Sequence, residues 1–343
     1  MPTISLQLVG DINLKRDLRL NHTALDRVAE VLDPKAVRLG NLEGCFADPA
    51  VELPYKPGWY HCEPEMVECL LGRFDAVACA NNVHYGSAIA ESNRRLDAAG
   101  ILHAGAGASL AEARRPAIVE RDGVRVGLLA FTSVFWPVGH AATDHSPGVA
   151  TIKGHTAYAP HPRVFEMPGA PAVVRSWPDP EELEAACAAI RALRPQVQVV
   201  VVYLHWGVTG SSEVAEYQPA IAHRAIDAGA DVVVGSHPHV LQPVEFYRHG
   251  VIFYSLGNFI FGWRLHRHLT QDGLLAEVSW GQGTVEAVAV VPVQRNAEDQ
   301  VVPLDPRQGE GARLAETVAR LSAPFGTVTE VAGHAVRLRP ERS

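Results

Sequence analysis

The sequence contains no run of about 18 apolar residues, the length that a helix needs to cross a bilayer. Its longest apolar run, Val199 to Leu204, has the length of a strand. The N-terminus shows no basic segment followed by a long apolar one, so we expect no signal peptide. These absences predict a cytoplasmic location without membrane contact.

The sequence also lacks an excess of positive charge. It has 30 Lys and Arg against 38 Asp and Glu, which gives a formal net charge of −8. An acidic chain has no electrostatic attraction for nucleic-acid phosphates, so we expect no nucleic-acid partner.

The sequence contains no Gly-x-x-x-x-Gly-Lys-Ser/Thr phosphate loop. An ATP-driven ligation, which would form an amide instead of hydrolysing one, therefore has no visible site.

The sequence has few cysteines, and their spacing shows no paired motif. The five cysteines are odd in number, and none forms a Cys-x-x-Cys pair. Free and mostly buried thiols in a reducing compartment are the simplest interpretation.

Short apolar runs alternate with amphipathic segments along the chain, which predicts an α/β layered fold. The strand candidates are Ile4–Val9, Ala36–Leu39, Ala76–Ala80, Arg125–Thr132, Val197–His205, Asp231–Gly235, Val251–Ser255, Leu274–Ser279 and Thr284–Val291. The helix candidates are Thr23–Leu32, Glu63–Leu71, Ala88–Ala99, Pro180–Leu193, Pro219–Ala228 and Ala312–Leu321. Asp179 is a candidate cap for the helix that begins at Pro180.

One stretch, residues 136–178, breaks this alternation. It is rich in Pro, Gly and His, and we expect a loop-rich insertion there because long loops in compact domains are often functional. Its histidines either line the mouth of a substrate site or lie solvated on the surface. They are His140, His145, His155 and His161.

Five polar motifs follow strand candidates. They are Gly10-Asp11-Ile12-Asn13, Gly40-Asn41-Leu42-Glu43-Gly44, Ala80-Asn81-Asn82-Val83-His84-Tyr85-Gly86, Leu204-His205-Trp206-Gly207 and Gly235-Ser236-His237-Pro238-His239. Ligand sites in open α/β sheets form at the carboxyl ends of strands. A mixed set of Asp, Glu, Asn and His suits Mn, Fe, Zn or Mg, so these motifs together predict a metal site.

These motifs, with Tyr254-Ser255-Leu256-Gly257-Asn258-Phe259-Ile260-Phe261, resemble in residue and order those of the CapA family. The family comprises capsule and poly-γ-glutamate biosynthesis proteins similar to calcineurin-like metallophosphoesterases. The resemblance implies a four-layer α-β-β-α sandwich with a long loop insertion. Residues 1–295 would form this domain, with the insertion at 136–178 over the site. Residues 296–343 would form a C-terminal extension that packs on the same domain.

The resemblance also implies roles for matching residues. Asp11 and His239 would bind one metal ion, Asn82, His205 and His237 a second, and Glu43 would bridge the two. Asn258 would support catalysis by steadying a ligand. His84 would protonate the leaving group or stabilise developing charge, unless it is only a histidine in a surface turn; a histidine of the insertion is the alternative proton donor. The residues expected to contact substrate are Asn13, Asn81, Trp206 and Arg264. Arg163, Arg175 and Arg267 are further candidate anion clamps.

The chain departs from the metallophosphoesterase pattern at two places. Asn13 stands where a His usually occurs two residues after the first Asp, which predicts a first metal site that is weaker or that keeps more water. Val83 follows the Asn pair where many relatives have His, so that His84 lies one residue later.

The function predicted from these residues is a dinuclear metal-dependent hydrolase. Two divalent cations, with Mn, Fe or Zn first and Mg as a further candidate, would share and activate a hydroxide. An anionic small molecule or peptide-like compound would be the substrate, with the cleaved bond either a phosphoester or a glutamyl-type amide. The alternative is a non-catalytic accessory protein of polymer synthesis or export.

Overall fold

The structure, a computed structural model, describes residues 3–15, 22–48, 52–53, 56–262 and 271–341. For residues 52–53 and 56–60 it describes the main chain alone. The strands within these ranges are β1 (Ile4–Asn13), β2 (Val37–Leu42), β3 (Glu52–Leu53), β4 (Lys56–Tyr60), β5 (Ala76–Ala78), β6 (Leu102–Ala104), β7 (Ala106–Gly107), β8 (Ala117–Arg121), β9 (Val124–Thr132), β10 (Gly148–Val149), β11 (Gly154–Ala159), β12 (Val173–Pro178), β13 (Val199–His205), β14 (Val232–Ser236), β15 (Val244–Tyr247), β16 (Gly250–Phe253), β17 (Asn258–Phe261), β18 (Asp272–Gly281), β19 (Thr284–Arg295), β20 (Val301–Pro303), β21 (Thr327–Ala332) and β22 (Ala335–Pro340). The α-helices are α1 (Ser87–Ala98), α2 (Leu110–Ala113), α3 (Pro180–Leu193), α4 (Tyr217–Asp227) and α5 (Gly309–Ser322).

Two large sheets carry most of these strands. The larger has ten strands within the described residues, in the order β21-β22-β19-β18-β1-β2-β5-β6, with β17 paired to β1 and β20 to β19. The smaller has six, in the order β15-β16-β14-β13-β9-β8. Strand β13 lies inside the smaller sheet and is buried along its whole length, which explains its unbroken apolar run.

The inner faces of the two sheets share one hydrophobic core. Leu6 and Leu39 of the larger sheet belong to the same buried cluster as Val201 and Val234 of the smaller one. The outer face of the larger sheet packs with residues of α1, and that of the smaller sheet with residues of α3 and α4. The prediction of an α/β fold is therefore confirmed, and the described residues form large sheets with few helices.

Strand β1 changes neighbours at Gly10. Up to Val9 it pairs antiparallel with β18, and from Asp11 it pairs parallel with β17, where Asp11 lies opposite Asn258. The register with β2 shifts at the same point. A Cβ at Gly10 would lie 2.0 Å from the carbonyl oxygen of Gly257, so only glycine allows this close approach. The bulge thus brings the chain carrying Asp11 against the chain carrying Asn258.

Several element predictions need correction. The helices expected at Thr23–Leu32 and Glu63–Leu71 are only short 3-10 helices, Val28–Val31 and Pro64–Leu70, neither with a side-chain cap. The strand expected at Ile4–Val9 continues to Asn13, so that Asp11 lies within the strand. The insertion at 136–178 contains the antiparallel hairpin β11–β12 and is more regular than predicted.

The C-terminal residues add strands to the larger sheet: β20 and β22 both pair with β19. The domain boundary at residue 295 stays a prediction. No helix in the described part of the chain is both long and apolar enough to span a membrane.

Candidate metal centre

Glu43 belongs to two groups of side chains at the junction of the sheets. Its carboxylate, His205 and His237 offer ligand atoms that all lie within 4.8 Å of one another, and so do those of Asp11, Glu43 and His239. All five residues are buried. The structure therefore brings together five of the six residues predicted as metal ligands, with Glu43 common to both groups.

The sixth predicted ligand, Asn82, lies beside the first of these groups. Its Oδ1 is 3.1 Å from Nε2 of His205. Bond lengths of about 2.1 Å at right angles separate adjacent ligand atoms by about 3 Å, so the distance fits two ligands of one ion. Asp, Glu, Asn and His also form a donor set that transition metals accept. The residues present therefore fit a pair of divalent cations.

Both sheets deliver these side chains. Asp11 comes from β1 of the larger sheet, whereas His205 ends β13 of the smaller one. The main-chain N–H of His237 donates a hydrogen bond to Oδ2 of Asp11 over 3.0 Å, although 226 positions separate the two residues. Asn41 Nδ2 donates to Oδ1 of the same carboxylate over 2.8 Å. Asp11 is thus held from both sides of the interface between the sheets.

The His237-Pro238-His239 turn has unusual backbone geometry. The φ angles of His237 and His239 are 93° and 58°, values that residues other than glycine rarely adopt. Strain of this kind, costing about 1–3 kcal/mol per residue, is found preferentially at functional sites. Thr209 Oγ1 lies 3.1 Å from Nε2 of His237 and helps to orient that ring.

His239 lies between the two buried carboxylates. Its Nδ1 is 3.4 Å from Asp11 Oδ2, and its Nε2 is 3.8 Å from Glu43 Oε1. Burial lowers the pKa of His239, but Glu43 and Asp11 outweigh burial and raise the pKa to about 9. Asn258 Oδ1 lies 3.0 Å from Nδ1 of His239, as expected for a residue that steadies a ligand.

Three asparagines brace the centre through hydrogen bonds. Asn13 Nδ2 donates to the carbonyl of Glu43 over 2.6 Å, and Asn81 Nδ2 donates to the carbonyl of Leu42 over 2.7 Å. Asn41, to which the sequence analysis gave no role, bonds Asp11 and lies 3.4 Å from His205 Nδ1. The amides of Asn13 and Asn81 thus hold the protein itself; their predicted contact with substrate stays untested. In the sequence, the only sign of the supporting role of Asn41 is its position in a motif that follows a strand candidate.

His84 is fully buried next to this centre. Its Nδ1 lies 3.1 Å from Asn81 Oδ1, and its Nε2 has no hydrogen-bond partner among the described residues. Burial, reinforced by nearby His61, lowers its pKa to about 3. His84 is therefore neutral near pH 7 in this state, and its role in catalysis stays a prediction.

Trp206 does not line the centre, contrary to our expectation of substrate contact. It is buried in the core outside the smaller sheet, where its Nε1 donates to the carbonyl of Tyr254 over 2.9 Å. A side chain so enclosed has no surface to offer a substrate. Arg264 and Arg267, also predicted to contact substrate or its charge, lie outside the described residues.

Among the described residues, the first residues of the insertion contact those around the centre. His140 is buried with Nε2 2.8 Å from the carbonyl of His84, and Trp136 Nε1 donates to the carbonyl of Asn82 over 3.0 Å. Of the other histidines in the insertion, His145 is exposed, Nε2 of His155 lies 3.1 Å from Asp179 Oδ2, and Nδ1 of His161 accepts a hydrogen bond from the N–H of Arg163. Two of the candidate anion clamps form surface ion pairs, Arg163 with Glu166 and Arg175 with Glu216.

Comparisons with known proteins agree with the resemblance seen in the motifs. A family model described as bacterial capsule synthesis protein PGA_cap matches residues 5–263. The capsule biosynthesis protein CapA of Bacillus anthracis is 28% identical over 306 residues, covering 84% of this chain and 67% of that protein. The PGA biosynthesis protein CapA of Bacillus subtilis (strain 168) is 34% identical over 179 residues, covering 49% of this chain and 39% of that protein.

A further relative is a probable polyglutamine synthesis accessory protein of Mycobacterium tuberculosis, 32% identical over 229 residues, which cover 64% of this chain and 52% of that protein. Among solved structures, a hypothetical protein from Thermus thermophilus is similar with a TM-score of 0.47 and 14% identity, covering 85% of this chain and 99% of that one. The chain spans between about two fifths and two thirds of the three curated relatives. Since the family model covers most of the sequence, this chain belongs to the bacterial capsule synthesis protein family PGA_cap.

Proposed function

We propose that this chain is a hydrolase whose centre holds two divalent cations. Asp11, Glu43 and His239 would hold one ion, and Asn82, His205 and His237 would hold the other together with the shared Glu43. The observation that supports this most directly is the membership of Glu43 in both groups of ligand atoms. A carboxylate has two oxygens and is the ordinary protein bridge between neighbouring cations.

Bound cations would lower the pKa of a water molecule and neutralise charge on the attacked group. The protein's own residues prepare for that chemistry. Burial of Asp11 and Glu43 keeps water away from the carboxylates and strengthens their attraction for cations. The strained turn at His237 and His239, with Asn41 and Asn258 behind the ligands, fixes the imidazoles before any ion arrives.

The proposal includes the four-layer arrangement of metallophosphoesterases. Its support is the distribution of the buried clusters, one between the two sheets and one on each outer face. In such an arrangement the carboxyl ends of β1, β2, β13 and β14 meet at one edge, where the ligands lie.

The substrate class in this proposal is an anion with a hydrolysable phosphoester or glutamyl-type amide. The names of the relatives, capsule and PGA biosynthesis proteins, favour the amide. The donor set, which resembles that of metallophosphoesterases except at Asn13, favours the phosphoester. The positive charge of the cations would attract either anion despite the acidic composition of the chain.

Elemental analysis of the purified protein tests the proposal. We expect about two equivalents of transition metal, and Mn²⁺-dependent hydrolysis of either bis(p-nitrophenyl) phosphate or γ-glutamyl p-nitroanilide. Asp11→Asn should remove at least one equivalent and most of the activity. Asp231→Asn is the matched control, because Asp231 is a buried carboxylate that bonds Arg194 and the N–H of Val200, away from the centre.

A second candidate function is that of a non-catalytic accessory protein, which the name of the Mycobacterium tuberculosis relative favours. A protein that takes up no metal and has neither activity would support this candidate and contradict the hydrolase. Retention of two metal equivalents without activity on either compound would contradict only the choice of substrates.

A further inference from the structure

The hydroxyl of Tyr203 connects the two sheets directly beneath the centre. Tyr203 belongs to β13 of the smaller sheet, and its side chain is buried in the core between the sheets. Its hydroxyl contacts the main-chain carbonyls of Val9, in β1, and Leu39, in β2, at 3.1 and 3.0 Å. The single proton of the hydroxyl is thus shared between two strands of the opposite sheet.

These two carbonyls lie where the larger sheet is irregular. Val9 is the last residue of β1 before the register with β2 shifts at Gly10. A bulge weakens the ladder between two strands locally, so their relative position there depends on other contacts. Tyr203 supplies such a contact from the opposite sheet.

The three residues joined by this hydroxyl share one relation to the centre. Two positions further along their strands lie Asp11, Asn41 and His205. Leu39 and Asn41, like Tyr203 and His205, lie two apart on a strand and point to the same face. Between Val9 and Asp11 the bulge at Gly10 interrupts this alternation, and the side chain of Val9 lies in the cluster outside the larger sheet. Asn41 Nδ2 lies 2.8 Å from Asp11 Oδ1 and 3.4 Å from His205 Nδ1. The same three strands that meet at the Tyr203 hydroxyl therefore meet again two residues further on, where the side chain of Asn41 contacts those of Asp11 and His205.

We propose that Tyr203 is a positioning residue that sets the position of one sheet relative to the other, so that Asp11 and His205 lie at the separation that a pair of cations requires. This inference rests on the proposed function. The hydroxyl of Tyr203 bonds to the main chain of Val9 and Leu39, so Tyr203 acts through the strands.

The test is Mn²⁺ binding to Tyr203→Phe, measured by isothermal titration and by electron paramagnetic resonance. Two Mn²⁺ ions bridged by Glu43 should give an exchange-coupled spectrum in the wild type. In Tyr203→Phe we expect the second ion to bind roughly tenfold more weakly, in line with losses of supporting contacts around metals. At limiting Mn²⁺ the spectrum should change to that of isolated ions.

Tyr254→Phe is the matched control. Tyr254 is also buried, and its hydroxyl donates to Glu245 over 2.6 Å without contacting the centre. Both substitutions remove one hydroxyl and one enclosed hydrogen bond, so both should lower the midpoint of urea unfolding. Only Tyr203→Phe should change the Mn²⁺ spectrum and affinity.

A folded Tyr203→Phe protein that binds two ions with wild-type affinity and spectrum would overturn the inference, while leaving the hydrolase standing. A wild-type protein that binds no Mn²⁺ would instead contradict the proposed function and, with it, this inference. If Tyr203→Phe does not fold, 4-aminophenylalanine at position 203 provides the test, because its two N–H groups match the two carbonyls. We expect wild-type binding of both ions in that variant, and loss of the second ion there would overturn the inference.

Discussion

The side chain of Asn13 donates a hydrogen bond to the main-chain carbonyl of Glu43 over 2.6 Å. Its own Oδ1 accepts from the N–H of Lys15, so the amide ties the end of β1 to the residue shared by both ligand groups. Asn13 therefore braces the main chain at Glu43, the residue whose carboxylate belongs to both ligand groups.

Replacing this brace should loosen Glu43. We expect Asn13→Ala to lower Mn²⁺ affinity by about tenfold or more, because supporting contacts around metal ligands contribute about 10–100-fold. The affinity is measured by isothermal titration. Asn93→Ala is the control, since Asn93 also donates from a side-chain amide to a carbonyl, that of Ala106, away from the centre. Equal affinities in the two variants would contradict the role given to Asn13.

Gly10 should not tolerate a side chain. We expect Gly10→Ala to destabilise the protein by about 1–3 kcal/mol, the usual cost of inserting a methyl group into packed structure, because its Cβ would meet Gly257 at 2.0 Å. Urea unfolding measures the change. Gly154→Ala is the control, because a Cβ there would meet Tyr217 at an ordinary 3.6 Å. A Gly10→Ala protein as stable as this control would refute the requirement for glycine.

Binding of metal should release a proton below about pH 9. In the protein without metal His239 has a pKa of about 9 and carries a charge at neutral pH, whereas a metal ligand must be neutral. The contribution of His239 to the stability of the metal-free protein is full below its unfolded pKa of about 6.5 and is lost as the pH rises through about 9. Titrations of Mn²⁺ in buffers of different ionisation enthalpy measure the released protons. An enthalpy independent of the buffer would contradict this prediction.

Acid should destabilise the protein through three buried histidines. Burial lowers the pKa of His84 to about 3 and those of His61 and His140 to about 4. These groups stay neutral in the fold, so the stability they contribute is present above the unfolded pKa of about 6.5 and is lost as the pH falls toward 3–4. Each contributes a slope of about 1.4 kcal/mol per pH unit in that range. Urea midpoints measured between pH 7 and pH 4 check this, and His140→Gln should reduce the slope.

Local patterns predicted several elements well. The helix α3 has the predicted bounds, and Asp179 accepts hydrogen bonds from the N–H groups of Glu181 and Glu182, as a cap should. The prediction was possible because caps, proline and helical spacing all act within a few residues. The unbroken apolar run of β13 likewise indicated a strand inside a sheet. All five cysteines are free and buried, as expected.

Long-range features were not predictable in the same way. The exchange of neighbours by β1 at Gly10 depends on β17 and β18, more than 240 residues later. The expected ligands lie close together. The supporting contacts of Asn41 and Tyr203 join the two sheets, so they could not be predicted from either part of the sequence alone. Trp206 was misjudged because its place in a strand-end motif does not reveal that its ring points into the core.

The hydrogen bond from His237 to Asp11 spans 226 positions of the chain. During synthesis, the side chain of Asp11 therefore cannot form this hydrogen bond until the ribosome has added His237, when well over half of the polypeptide has been made. Under the proposed function, uptake of metal would therefore follow synthesis of His237 and His239. A nascent chain stalled before residue 237 would hold Asp11 and Glu43 with neither His237 nor His239 beside them.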